Sequence, residues 1–202
     1  MPTYQVGDLI TGGLAWTRPV RLGGVQIRRN FGLRSDLVTM PLPEVSGTAA
    51  VPSTVDLYVN STRRSSHEVP AGPFSISDIP AVSGDATARL VVRDALGRET
   101  VTETPLFASA DLLAPGLIDY SAEIGFARRN YGLESFNYDE RPFGMASARY
   151  GLTDRLTLEA HAEAGLDFLN GGAGAAFALG TLGIGTAAVA GSRYGDESGF
   201  LV

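Results

Sequence analysis

Residues Arg155 to Gly165 alternate strictly between apolar and polar. Leu156, Leu158, Ala160, Ala162 and Ala164 fall in one set, and Thr157, Glu159, His161, Glu163 and Gly165 in the other. A period of two sends the sets to opposite sides of a sheet, so this stretch predicts a strand. A small apolar outside and a charged inside suit a strand between lipid and an aqueous lumen. An ordinary half-exposed antiparallel strand also alternates, so the pattern by itself leaves both readings open.

The same texture continues on either side, over about 119–202. Strand-like segments at Asp119 to Arg129, Pro142 to Gly151, Ala175 to Leu182 and Thr186 to Arg193 are divided by connections of alternating length. That alternation is a mark of outer-membrane barrels, with short turns on the periplasmic side and long loops outside. Asn130 to Arg141 predicts a long extracellular loop, and Leu152-Thr153-Asp154 a short periplasmic one. Asp167 to Gly174 predicts a Gly-rich loop.

The segment 43–109 has a different pattern. Val55, Leu57 and Val59 share one face of a strand, and Arg89 to Arg93 predicts another. Asp94-Ala95-Leu96-Gly97 predicts a hairpin turn, since Asp accepts backbone hydrogen bonds and Gly takes positive φ. Short strands at this spacing predict a compact sandwich of immunoglobulin-like size. The segment 1–42 predicts two strands, Tyr4 to Thr17 and Leu22 to Phe31, ended by Pro41-Leu42-Pro43. Pro41 to Gly47 and Ala108 to Gly116 predict irregular tethers on either side of the sandwich.

Composition narrows the function. The chain has 202 residues, a formal charge of −6 and no cysteine. No basic footprint argues for nucleic acid, and disulfides, thiolate metal sites and thiol nucleophiles are ruled out together. No run of eighteen apolar residues predicts a membrane helix, which leaves strands free to cross. The first residues lack a basic and then apolar leader, so an outer-membrane reading carries the expectation that the chain begins inside a longer protein.

Several short stretches in a fixed order resemble the fimbrial, or chaperone–usher, outer-membrane usher family. They are Arg34 to Thr39, Pro41-Leu42-Pro43, Gly47 to Tyr58, Pro70 to Phe74, Asp94 to Arg98, Leu117 to Ser121, Arg128 to Gly132 and Tyr150 to Asp154. Each is weak alone; the ordered series is specific. The resemblance implies an all-β chain: part of a transmembrane antiparallel β-barrel with an inserted immunoglobulin-like β-sandwich plug. Residues 1–42 would be barrel strands before the plug, 43–109 the plug, and 110–202 barrel strands after it. Ushers are barrels near the top of the roughly 8–26-strand range. The resemblance further implies a gated pore in the bacterial outer membrane that secretes and assembles pilus subunits. Its partners would be those subunits, delivered as periplasmic chaperone–subunit complexes through parts of the protein outside this chain, and outer-membrane lipid. No cofactor and no enzymatic activity are implied.

The candidate residues follow. Thr157, Glu159, His161 and Glu163 are candidates to face the lumen. Arg28, Arg29, Arg128 and Arg129, at strand ends flanking the insertion, are candidates for plug–barrel contacts, against the alternative of solvated surface arginines worth little individually. Glu159, His161 and Glu163 form a single row, which does not close a metal coordination shell. Asp139-Glu140 point apart on an extended chain, unlike a glycosidase pair, and no Gly-x-Ser-x-Gly elbow is present. Gly171 to Gly174 lacks the lysine and the strand–loop–helix setting of a phosphate loop. The rival function is a secreted or surface β-sandwich acting as an adhesin or binding module. It fits 43–109 but leaves the Ala- and Gly-rich strands after it unexplained.

Overall fold

The structure is a computed structural model that describes residues 1–34, 36–77, 79 and 84–202. Ser35, inside the Arg34 to Thr39 motif, lies outside the described residues. In chain order the strands are β1 (Pro2–Ile10), β2 (Arg21–Arg29), β3 (Val45–Ala49), β4 (Ser53–Val59), β5 (Thr62–Val69), β6 (Gly72–Ile76) and β7 (Gly84–Asp94). They continue with β8 (Glu99–Ala108), β9 (Ile118–Arg128), β10 (Tyr138–Thr153), β11 (Leu156–Gly165), β12 (Phe168–Ala178), β13 (Ile184–Tyr194) and β14 (Glu197–Leu201). The chain is all-β, and it divides into two compact units. One comprises Met1–Thr39, Leu112–Phe177 and Gly185–Val202; the other comprises Met40–Asp111 and Ala178–Ile184.

The first unit is built on one sheet in the order β1-β2-β9-β10-β11-β12-β13-β14. Every step but one joins chain neighbours. The exception is β2 to β9, which pair antiparallel from Leu22↔Ala127 to Arg28↔Ser121 although β3 to β8 intervene in sequence. Register is held by side-chain alternation: a slip of one residue would turn every polar side chain to the other face.

The second unit has a four-stranded sheet, β5-β4-β7-β8, and a two-stranded one, β3-β6. Its core draws on both sheets. Val55, Leu57 and Val59 of β4 and Ala86, Ala88 and Leu90 of β7 meet Val45 of β3, Ile76 of β6 and Leu106 of β8. Pro105 sits in β8, an edge strand, where a missing N–H costs no ladder bond. The β7–β8 turn forms where the sequence predicts it. The Asp94 carboxylate accepts from the backbone N–H groups of Leu96 and Arg98, both at 2.9 Å, and from Arg98 Nε at 2.7 Å. These bonds, the Arg98 N–H first among them, hold Asp94 below its ordinary pKa. Gly97 takes φ 80°, which the turn requires of it.

Several expectations change. β1 stops at Ile10, so Thr11 to Thr17, with Trp16, is loop rather than strand. The apolar run Leu14-Ala15-Trp16 looks strand-like, yet it is used in packing across the sheet. β10 begins at Tyr138, inside the expected long loop, and its register shifts between Tyr138 and Pro142. Phe168–Ala178 is a strand, so the glycines expected in a loop lie within a ladder. Connection lengths do not alternate after β10: residues 154–155 and 166–167, at opposite ends of the sheet, are both tight turns. Val45 to Gly47, expected in a tether, pair with Phe74 to Ile76 in the β3–β6 sheet.

Candidate functional site

The eight-stranded sheet is polar where it is covered and apolar where it is open. Register puts Arg28, Ser121, Ser147 and His161 in one cross-strand row, and Asp119, Arg149 and Glu159 in the next. On this face Thr157 is 0% exposed, His161 4%, Glu159 7% and Glu123 4%. The opposite face carries Val25, Ile124, Phe126, Tyr150, Leu158 and Leu169, all well exposed, Ile124 at 63% and Leu158 at 41%. A sheet folded in water buries its apolar face; here the apolar face is the open one, as in a strand wall against lipid.

The open face has the height of a membrane. Along β9 its outward positions run Ile118, Tyr120, Ala122, Ile124 and Phe126. At ~3.3 Å per residue that is about 26 Å of strand, or about 20 Å along the normal at a tilt of about 40°, near the ~25 Å apolar band of membrane barrels.

The polar face is covered in part by the β1–β2 loop, residues 11–20. The loop is shaped locally: Val20 N donates to Thr11 Oγ1 and Leu14 N to Thr17 Oγ1, both at 2.8 Å. It is then fixed to the sheet at two places. At the first, Glu123 Oε1 accepts from Gly12 N at 2.9 Å and from Gln26 Nε2 at 2.7 Å. At the second, Trp16 Nε1 donates to Glu159 Oε2 at 2.8 Å, and the Trp16 ring meets His161 edge-on, centroids 5.9 Å apart. Glu159 Oε1 lies 3.3 Å from Arg149 Nε, so a buried carboxylate has a cation on one oxygen and an indole N–H on the other, as burial of a charge requires.

His161 is held from both nitrogens. Nε2 is 2.8 Å from Glu163 Oε1 and Nδ1 is 2.9 Å from Ser147 Oγ. An ionised carboxylate only accepts, so Nε2 carries the hydrogen and, in the neutral ring, Nδ1 accepts from the Ser147 hydroxyl. Thr157 Oγ1 accepts from Leu113 N at 2.8 Å. Thr157, Glu159, His161 and Glu163 therefore share one face; Glu159, His161 and Glu163 are linked through Trp16 and the His161 ring, while Thr157 bonds separately to Leu113.

The four candidate arginines divide. Arg28 is on the polar face, where it lines a hollow with Asp119, Ser121 and Arg149. Arg29 donates to the Ile118 carbonyl at 3.0 Å. Arg128 is on the apolar face by register and pairs with Asp8 and the Tyr138 hydroxyl. Arg129 pairs with Asp139. Nothing in the local pattern marks Gln26, Glu123 or Arg149, and the lone tryptophan, Trp16, reads only as part of the strand expected over Tyr4 to Thr17, since its partner lies 143 positions away.

A strand wall with an open apolar face, interrupted between neighbouring strands by a separately cored sandwich, defines a membrane β-protein with an inserted domain. Residues 5–197 match the family model described as outer membrane usher protein, and the chain belongs to that family. It is 35% identical over 179 residues to the outer membrane usher protein FaeD of Escherichia coli, covering 87% of this chain and 21% of FaeD. It is 32% identical over 143 residues to PefC of Salmonella typhimurium, covering 70% of this chain and 18% of PefC. The chain thus spans about a fifth of the length of these relatives. Among solved structures, the E. coli P pilus tip assembly intermediate PapC-PapD-PapK-PapG has a similar fold. Its TM-score is 0.61 at 23% identity, over 98% of this chain and 24% of that one.

Proposed function

We propose that this chain is the gate, and part of the wall, of an outer-membrane pore through which pilus subunits are secreted and assembled. The observation that carries the reading is the reversed polarity of the eight-stranded sheet, interrupted at β2–β9 by a sandwich with its own core. The wall is residues 1–42 and 110–202, and the plug is 43–109. A wide barrel encloses an aqueous lumen, and a folded domain can close it and move aside without unfolding, because its core is its own. The relatives' names as outer membrane ushers support this reading.

Thr157, Glu159, His161 and Glu163 face the lumen. Chaperone–subunit complexes reach the pore through parts of the protein beyond this chain, and the chain supplies a route rather than a reaction. Arg28, on the polar face, is the arginine best positioned to hold the closed state. The ends of the strands at 11–20 and 129–137 face outside, and 154–155 faces the periplasm. A surface adhesin would have no use for an open face of Ile124, Phe126 and Leu158.

Planar-bilayer conductance of the intact protein tests the gate. Deleting 43–109 should turn a mostly closed channel into a persistently open one, and Arg28→Ala should raise the open fraction more modestly. A pore that stays closed without 43–109 would remove the gate.

A further inference from the structure

Just beyond the apolar band, at the end of the strands that leads into residues 129–137, the open face carries a group of rings and charges. The Arg21 guanidinium lies 3.9 Å from the centroid of Tyr131. The Arg128 guanidinium lies 4.9 Å from Tyr138 and 5.6 Å from Tyr131. Tyr138 donates to Asp8 Oδ1, and Arg128 to Asp8 Oδ2. Tyr138 reaches this position because Gly23 has no side chain: a Cβ there would be 2.4 Å from Tyr138 Cε1.

The group carries two cations, Arg21 and Arg128, and two carboxylates, Asp8 and Glu134, and Arg21 acts on Asp8 only at longer range. Asp8 takes Arg128, whose side chain is 12% exposed, and Glu134 contributes its carbonyl to Arg128 and its carboxylate to Asn137. Arg21 is exposed, and among the described residues it has no carboxylate within ion-pair distance. Its guanidinium carbon sits over the Tyr131 ring, which holds the group in place. A guanidinium fixed in this way meets a phosphate with little further ordering.

We propose that Arg21, Tyr131 and the Asp8–Arg128–Tyr138 group form a site for the phosphate of a lipid headgroup. The inference rests on the membrane reading of the open face. Position selects the ligand: Phe126 and Pro142 lie one step towards the apolar band on the same face, and tyrosines at this level sit among headgroups. A phosphate borne by a molecule without an acyl chain would gain nothing from that neighbour. One basic residue at an anionic surface strengthens binding roughly fivefold.

The test is flotation of the full chain with three kinds of vesicle: phosphatidylcholine alone, phosphatidylcholine with diphosphorylated lipid A, and phosphatidylcholine with the same lipid dephosphorylated. The native chain should enter all three and retain phosphorylated lipid A selectively when re-extracted into detergent. Arg21→Ala should retain roughly fivefold less and enter neutral vesicles as before. Arg21→Lys, which keeps the charge without the guanidinium fork, should fall between. Arg155→Ala, at the far end of the strands, should change nothing. If Arg21→Ala does not enter neutral vesicles, Tyr131→Leu carries the same expectation. Equal retention of both forms of lipid A, or full retention by the Arg21 variants, overturns the site. Displacement by millimolar inorganic phosphate also overturns it, as a free-phosphate site. Failure of the native chain to enter neutral vesicles overturns the membrane reading itself.

Discussion

Trp16 Nε1 donates to Glu159 Oε2 across 143 positions of sequence, and this bond fixes the middle of the β1–β2 loop on the polar face of the sheet. Trp16 is the only tryptophan, so its fluorescence reports the loop alone. Glu159→Ala removes the acceptor and leaves Arg149 without that carboxylate. The expected outcome is a red-shifted emission and faster acrylamide quenching, with strand content unchanged by circular dichroism. Unchanged quenching would mean that the indole does not depend on this carboxylate.

Gly174 of β12 makes room for that tryptophan. A Cβ there would lie 2.8 Å from Trp16 Nε1 and 3.1 Å from both Ala187 O and Ala188 Cβ. Gly174→Val should expel the ring, giving the same fluorescence signature, and cost about 1–3 kcal/mol of overpacking. Gly171→Val, whose Cβ meets only His161 O at 3.7 Å, should leave emission unchanged.

These two contacts mark where the sequence stops being legible. The alternation of Arg155 to Gly165 is visible because it is local: each residue carries its own face in its parity. The plug core is visible for the same reason in Val55, Leu57 and Val59. Trp16 is different, since its position depends on Glu159 and on an absent side chain at Gly174, neither of them near it in the chain. Asp167 to Gly174 reads as a loop from its glycines, because local propensity cannot show that Gly172 and Gly174 face close neighbours. Tyr138 likewise reads as loop until Asp8 and Gly23 are seen to receive it.

Asp36 offers a pH prediction away from the wall. Arg34 Nε and Nη2 donate to its two oxygens at 2.8 and 2.7 Å, and these bonds, before any other cause, lower its pKa from 3.8 to about 2. A depressed folded-state pKa means that the pair favours the folded form above pH 3.8, and that this is lost as pH falls towards 2. The side chains are well exposed, so the contribution is small. Carboxyl NMR should follow Asp36 titrating near 2, and in Arg34→Ala it should return towards 3.8.

The sandwich should fail by itself. Leu57 is buried among Val55, Val59 and Leu90, and Leu57→Ala should cost about 2–5 kcal/mol. Hydrogen exchange should then rise in β4, β7 and β8, while β9 to β11 keep their protection. Loss of protection in both groups would contradict separate cores.

In the proposed pore the Leu158 side of β11 touches hydrocarbon and the Glu159 side does not. The chain has no cysteine, so single cysteines at 158 to 163 can each carry a nitroxide in vesicle-reconstituted protein. Collision with molecular oxygen, which concentrates in lipid, is compared with collision with a water-soluble nickel chelate. Positions 158, 160 and 162 should favour oxygen, and 159, 161 and 163 should not, with a period of two. Equal nickel access at 158, 160 and 162, or an oxygen preference at 159, 161 and 163, would contradict the account.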